Sequence, residues 1–268
     1  MAMPGVDVQP IEQSTPTMVP AAATVGAAES YWVWDSRSRR YRITRAGASA
    51  LGQRAGTYVG QARMVALRDA YIAQAKVRTN ALAAQIANGD ITLQQWQIGM
   101  REVIKDTYIN EYMLGAGGRN AMTQADWGRV GQMVRQQYEY VDNFARDIAA
   151  GRYSEAGIAA RARMYPESAS QAYERGNTES RGMPQLPAYP GDGSTQCLSN
   201  CKCRWTIKET DEAWECTWTL SPAEHCLDCL DRAQRWAPLT IAKAQAATRA
   251  VLMSQLDGLV EHEHGVHD

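Results

Sequence analysis

Apolar residues recur at three- and four-residue spacing along much of this chain, which is the pattern of helices that bury one face. The spacing predicts a long helix that begins near Val59 and ends at Asn88-Gly89, where glycine permits the left-handed turn that commonly closes a helix. Thr92 is a suitable N-cap for a second helix, and the glycine-rich segment 115–118 ends it.

The same periodicity continues into two further helices. Thr123 and Asp126 have the spacing of a capping box, in which each side chain accepts a hydrogen bond from the backbone N–H of the other residue. This arrangement predicts a third helix that ends at Gly151. Ser154 is the expected N-cap of a fourth helix, and Pro166 is expected to break it.

One more short helix is predicted over 167–176, and short glycine-containing turns join the helices before it. Residues 46–182 are therefore expected to form an antiparallel helical bundle in a mainly α protein. Nothing in the bundle has the pattern of an active site, since every histidine of the chain follows it. The carboxylates of Glu102, Asp106 and Glu111 are interpreted as solvent-facing charges. We predict no catalytic residue and no enzymatic activity.

Within residues 30–45, two short runs that carry aromatic side chains, 31–35 and 39–43, flank a turn at 36–38, and this pattern predicts an N-terminal hairpin with aromatic residues on both strands. Five arginines stand here against one aspartate. Arginine beside aromatic rings is typical of protein-interface anchors and also of nucleic-acid contacts. The interface is favoured, while nucleic-acid binding and a solvated hairpin stay open. The candidate contact residues are Trp32, Trp34, Arg37, Arg39, Arg40 and Arg42.

Three prolines within 183–192 predict an extended linker after the bundle. Beyond it, Cys203–Ile207 and Trp214–Leu220 alternate between apolar and polar residues, which predicts a β-hairpin. The three- and four-residue spacing then returns, so an amphipathic helix is predicted over 239–260, within a C-terminal helix and tail that occupy 239–268.

The first 29 residues contain four prolines, many small residues and no lysine or arginine. They are predicted to be a flexible arm, and they lack the basic start and apolar stretch of a secretory signal. No apolar run reaches the length of a membrane span. Lysine and arginine total 28 against 29 acidic residues, and the net charge of −1 excludes a uniformly basic nucleic-acid coat. These features predict a chain that stays in a reducing cytoplasm.

All six cysteines lie within a short segment, which we call the cysteine module (183–238). In a reducing compartment, closely spaced cysteines indicate a metal site rather than disulfides. Two thiol pairs on either side of a hairpin can supply four ligands in a tetrahedron, as in structural zinc sites, and the ion would then hold a small module folded. The preferred zinc ligands are Cys197, Cys201, Cys226 and Cys229.

Alternatives to that set stay open. Cys203 can replace one of the first pair, and His225 can replace Cys226. Cys216 is interpreted as a small apolar residue of the hairpin. Because four protein ligands occupy all the coordination positions of a tetrahedral zinc ion, the zinc is predicted to be structural and not catalytic.

Three short elements also carry a family resemblance. They are residues 172–176 (Ala-Tyr-Glu-Arg-Gly), 201–205 (Cys-Lys-Cys-Arg-Trp) and 226–229 (Cys-Leu-Asp-Cys). This arrangement, over about residues 160–240, resembles the minor head (head-morphogenesis) proteins of tailed bacteriophages, the group related to the F protein of phage Mu. The two cysteine elements occur in the reverse of the family's order, and Cys197 stands where that family has a histidine.

The resemblance implies a structural role without catalysis. It implies a low-copy virion protein at the portal or inner capsid, in a larger assembly that forms in the bacterial host cytoplasm. The implied partners are the portal and the major capsid protein, with packaged DNA as a further contact. A second hypothesis stays open, a zinc-dependent nucleic-acid-binding protein that uses the arginines of 37–45 together with Lys202, Arg204 and Lys208.

Overall fold

A computed structural model describes residues 31–222 and 224–243 of the chain. The predicted arm (1–29) and the predicted helix beyond residue 243 lie outside this part. Within it the protein is mainly helical, with two small antiparallel sheets. The elements in chain order are β1 (Trp32–Asp35), β2 (Arg40–Ile43), α1 (Arg45–Leu51), α2 (Gln61–Ala87), α3 (Leu93–Ala116), α4 (Gln124–Ala149), α5 (Glu155–Ser168), α6 (Ser170–Glu179), β3 (Arg204–Glu209), β4 (Ala213–Thr219), α7 (Leu227–Arg235) and β5 (Leu239–Ala242).

Local capping groups set the ends of the long helices. The predicted capping box at the start of α4 is confirmed, since Thr123 and Asp126 each accept the other's backbone N–H. α3 begins with a second box, formed by Thr92 and Gln95. It ends at Gly117, whose φ of 107° lies in the left-handed region that glycine adopts without strain.

α3 lies at the centre of the bundle and contacts α2, α4, α5 and α6. Its closest neighbour is α6, because a glycine on each helix lets the two backbones meet. A Cβ on Gly115 would overlap the carbonyl oxygen of Tyr173, and one on Gly176 would overlap that of Tyr112. The largest fully buried side chains of this core are Trp96, Met100, Ile104, Tyr108, Tyr112 and Phe144.

The buried tyrosines keep their hydroxyl groups hydrogen-bonded inside the protein. The Tyr112 hydroxyl donates to Asp126 Oδ1 at 3.0 Å, and the Tyr108 hydroxyl lies 2.8 Å from Ser168 Oγ. A buried polar group without a partner is costly, so these bonds explain how the bundle uses tyrosine where phenylalanine is more usual.

The N-terminal hairpin forms as predicted and packs on one end of the bundle. Trp34 pairs with Tyr41 across β1 and β2. Tyr41 is buried, and its hydroxyl donates to the carbonyl of Leu114 at 3.0 Å. That carbonyl belongs to the last turn of α3, where helix carbonyls have no partner within the helix. The hairpin thus caps a helix 73 residues further along the chain.

The cysteine module contains the predicted hairpin, with Trp205 of β3 opposite Trp218 of β4. The rings of Trp205, Trp218 and Trp236 pack together with centroids 5.3–5.8 Å apart. Residues 183–192, predicted as an extended linker, are instead part of this core, because Met183, Leu186, Ala188 and Tyr189 are buried in it.

Two predicted helix boundaries are wrong. Leu239–Ala242 is not the start of a helix but strand β5, which pairs antiparallel with β4 and places Leu239 opposite Cys216. Pro166 does not end the fourth helix either, since α5 continues to Ser168 and the last short helix runs over Ser170–Glu179. A proline removes one backbone N–H, and the two residues after it keep helical geometry here.

Candidate metal centre

Loops and a helix start bring the cysteines together. Cys197 and Cys201 flank a single 3-10 turn, and Cys203 directly precedes β3. Cys226 is the N-cap of α7, and Cys229 lies in its first turn. The strands between these two groups run antiparallel, so the chain returns to the point where it entered the hairpin.

Three of the four preferred ligands form one compact group: the Sγ atoms of Cys197, Cys201 and Cys229 all lie within 4.8 Å of one another. Sγ of Cys229 is 3.8 Å from that of Cys197 and 3.7 Å from that of Cys201. The fourth, Cys226, places its Sγ 3.7 Å from Cys197. Zinc–sulfur bonds of about 2.3 Å in a tetrahedron give sulfur–sulfur edges of about 3.8 Å. These three distances have the length of the edges of a tetrahedral thiolate site, while Cys226 lies outside the compact group of the other three.

The alternates are placed differently. The Cys203 thiol interacts with those of Cys201 and Cys229, so it borders the group without belonging to it. His225 is not part of the group. Cys216 is fully buried in β4, as its interpretation as a strand residue requires. All six cysteines are free thiols.

The protonation of these thiols depends on their neighbours. Burial opposes ionisation of Cys226, but the backbone N–H groups of Cys229 and Cys197 donate to its sulfur and lower its pKa to about 7. Burial and the adjacent Cys201 raise the pKa of Cys229, and contact with Cys203 together with burial raises that of Cys201. Thiols this close cannot all ionise alone, whereas a bound divalent cation stabilises several thiolates at once.

A second layer of bonds ties the two cysteine groups to each other. Asp228, between Cys226 and Cys229, accepts the backbone N–H of Gln196 at 2.8 Å. Arg232, one turn further along α7, donates to the carbonyl of Ser194 at 2.6 Å. Such outer contacts fix the orientation of metal ligands, so the site is held in place by α7 as well as by the thiols.

The candidate contact residues of the N-terminal hairpin are largely used within the protein. Trp32 is buried, and Trp34 lies so close to Gly117 that a Cβ there would overlap its ring. The Arg39 side chain donates to Ser180 Oγ at 2.8 Å, and burial lowers its pKa to about 10. Hence neither tryptophan is free to stack on a base.

The remaining hairpin arginines are exposed. Arg42 forms an ion pair with Asp35, and both Arg40 and Arg42 lie over the ring of Tyr58, at 4.5 and 4.9 Å from its centroid. Arg37 is exposed beside them. The structure therefore leaves a small cationic surface rather than an aromatic clamp.

A buried charge cluster, which is not among the predictions from the sequence, lies between the bundle and the cysteine module. Glu111, interpreted as solvent-facing, is fully buried, and Arg68 Nε donates to its Oε2 at 2.7 Å. Arg68 also lies 3.8 Å from Glu174 Oε1, and Glu174 Oε2 accepts the backbone N–H of Trp205 at 3.1 Å. Burial raises the pKa of Glu174 to about 7, against the attraction of Arg68.

A signal for this cluster exists in the sequence. Glu111 follows Ile104 by seven residues and Tyr108 by three, so it falls on the buried stripe of α3. Glu102 and Asp106 fall off that stripe and are exposed, as interpreted.

Neither a scan of protein-family models, nor a search of curated proteins, nor a search of solved structures gives a match to this chain. Among the described residues, no helix has the length and apolarity that crossing a bilayer requires.

Proposed function

We propose that this chain is a non-enzymatic structural protein of a tailed-bacteriophage head, an antiparallel helical bundle whose cysteine module is held by one structural zinc ion. The observation that carries the zinc site is the compact group of Cys197, Cys201 and Cys229, because its sulfurs lie at the spacing of three corners of a tetrahedral thiolate site, with Cys226 3.7 Å from Cys197. Cys197, Cys201 and Cys229 would be ligands, with Cys226 as the fourth.

The place of zinc in this module follows from its small core. Four of the eleven buried residues in its hydrophobic cluster are cysteines and only two are aliphatic residues larger than alanine, Met183 and Leu186, so little aliphatic area is available to stabilise it. Metal ligation would compensate for the small core, because a structural zinc site forms only in the folded chain and its binding free energy therefore stabilises the fold. Zinc would supply cohesion here and no reactive position.

The proposed virion role rests on the family resemblance. Its supporting contact joins two of the elements that carry it, because Glu174 of residues 172–176 accepts the N–H of Trp205 in the element 201–205. Gly176 of the same element makes the close crossing with α3. The short helix that precedes the cysteine element in the family corresponds here to α6, which contacts the module through Glu174.

The proposed partners are the portal and the major capsid protein, with the chain present in more than one copy per virion. The exposed part of the N-terminal hairpin, Val33 with Arg37 and Arg40, is the proposed contact. A protein partner is favoured over DNA because Trp32 and Trp34 are used inside the protein, and single-stranded nucleic acid is bound largely by stacking on such rings.

Two measurements test this proposal. Elemental analysis of the purified full-length chain should find one zinc per chain, and a value well below one contradicts the zinc site. Quantitative mass spectrometry of purified phage particles should find the chain at a low, fixed copy number, and its absence from particles contradicts the virion role.

The nucleic-acid hypothesis has a separate test. Binding to a DNA oligonucleotide should be undetectable at moderate salt. If the chain instead binds tightly at low salt and loses affinity steeply as salt rises, phosphate contacts are being made, and the second hypothesis replaces the first.

A further inference from the structure

Two further thiols, those of Cys203 and Cys226, lie beside the compact group of three cysteines at the candidate metal position. Cys197, Cys201 and Cys229 form a triangle of mutually close Sγ atoms. Cys226 lies against one corner of it, 3.7 Å from Cys197. Cys203 neighbours the other two corners, since its thiol interacts with those of Cys201 and Cys229 and it lines the same cavity as Cys201. A tetrahedral ion on this triangle has a single fourth position, and two thiols border it.

Short tethers hold both of these thiols near the triangle. Cys203 is separated from Cys201 by Lys202 alone, and Cys226 is separated from Cys229 by one turn at the start of α7. Neither thiol belongs to the compact group itself, so the structure does not assign the fourth coordination position to one of them. The Cys226-x2-Cys229 pair has the spacing of structural zinc sites, and the single residue between Cys201 and Cys203 also keeps those two thiols close together.

The two thiols face different surroundings. Cys226 is half-buried at the surface end of α7. Cys203 is buried and lines a cavity of about 450 Å³ between the bundle and the module, together with Arg68, Glu174 and Lys202. Whichever thiol is not bound to the metal is therefore presented either to solvent or to this cavity.

We propose that Cys203 and Cys226 share the fourth coordination position and exchange on the metal. In each exchange a zinc–sulfur bond to one thiolate forms as the bond to the other breaks. The incoming thiol releases its proton to solvent and the outgoing thiolate takes one up, so the charge of the site and the oxidation state of zinc do not change. This inference rests on the proposed zinc site and adds to it a metal-controlled choice of which thiol is free.

A panel of full-length serine variants tests the exchange. Cys203→Ser and Cys226→Ser should each keep one zinc per chain, with affinity lowered by less than about tenfold, because the other thiol fills the vacant corner. The double variant should lose bound zinc, as should Cys229→Ser. Cys216→Ser is the matched control, since Cys216 is a buried thiol of the same module outside the cluster, and it should keep the metal.

Alkylation of the zinc-loaded chain, read out by peptide mass spectrometry, gives a second measurement. In the wild-type protein Cys197, Cys201 and Cys229 should be protected, while Cys203 and Cys226 both react. In Cys226→Ser, Cys203 should become protected. Far-UV circular dichroism on every variant shows whether the bundle is intact.

The outcomes separate the two proposals. Wild-type protein without zinc overturns the zinc site and the exchange with it. Wild-type protein with one zinc, combined with an intact Cys226→Ser bundle that has lost its zinc, overturns the exchange alone. A double variant that still binds one zinc also overturns it, because the fourth ligand then lies elsewhere.

Discussion

The bundle and the cysteine module are stabilised in different ways, although they share a boundary. The bundle buries an extended set of aromatic and aliphatic side chains between long, capped helices. The module buries three tryptophans and four cysteines on a three-stranded sheet. A core below ~70–80 residues supplies only a few kcal/mol, so modules of this size depend on cross-links or metals. The contrast teaches that the bundle is stabilised by its own core, whereas the module is the region in which a bound metal would add the most stability.

The largest expected effect comes from metal removal. A strong zinc chelator should abolish the near-UV circular dichroism of the module's tryptophans while most of the far-UV helical signal remains. The reason is that structural zinc contributes on the order of 10 kcal/mol in small modules. If heat then unfolds the chelated and untreated chains in the same single transition, the two regions do not differ as we describe.

The second prediction concerns a variant that disrupts the bundle and leaves the thiols of the module unchanged. Gly115→Ala forces a methyl group into the carbonyl of Tyr173, and we expect a loss of about 1–3 kcal/mol in the free energy of unfolding, measured by urea denaturation. Gly128→Ala is the control, because Gly128 lies in α4 with open space around it. It should be stabilising by up to ~1 kcal/mol. Equal effects of the two variants would disprove the close crossing.

Glu174 sharpens the comparison at the boundary itself. Its pKa is raised from 4.5 to about 7 in the folded protein, so between these values the folded chain keeps a proton that the unfolded chain releases. Its contribution to stability is therefore greatest below pH 4.5 and falls as the pH rises towards 7.

Glu174→Gln should remove that dependence while its amide oxygen still accepts the Trp205 N–H. Urea denaturation at several pH values should show the variant gaining on the wild type from pH 5 to 8. The variant-minus-wild-type difference cancels the pH dependence of metal binding, which both proteins share. A difference that stays constant over this range would show that Glu174 is ionised throughout.

The smallest expected effect concerns the N-terminal hairpin. Arg39→Ala removes the bond to Ser180 and should cost about 1 kcal/mol of unfolding free energy. Arg37→Ala, on the exposed turn, should change it by less than about 0.5 kcal/mol. Thermal melts of the two variants make the comparison. A larger loss for Arg37 would mean that the turn, not Ser180, fixes the hairpin.

Much of the fold could be predicted because its signals are local. The Thr123–Asp126 box and the ends at Gly89 and Gly151 depend on residues within one turn, and they are found where expected. Cys216 likewise follows from the alternation along β4. The spacing of the cysteines was enough to indicate one cluster, since short tethers restrict where thiols can go.

The errors arise where a distant partner decides. The sequence of Leu239–Ala242 is compatible with either a helix or a strand. It forms a strand because the edge of β4 provides backbone groups with which it pairs. Glu111 is charged and was assigned to the surface, but Arg68, 43 residues earlier, makes its burial tolerable. The sequence favours Cys226 over Cys203 as a ligand, but the structure leaves both outside the compact group, because spacing along the chain does not set the direction in which a thiol points.

The boundary cluster also has a consequence for the order in which the chain folds during synthesis. Arg68 leaves the ribosome 43 residues before Glu111 and 102 residues before Ser170, whose carbonyl it also binds. Until those residues follow, its guanidinium must stay hydrated, so α2 cannot close onto α3 as a dry interface. Trp205, whose N–H binds Glu174, follows Glu174 by 31 residues. The boundary is thus completed late in synthesis, once the first strand of the module has followed the last helix of the bundle out of the ribosome.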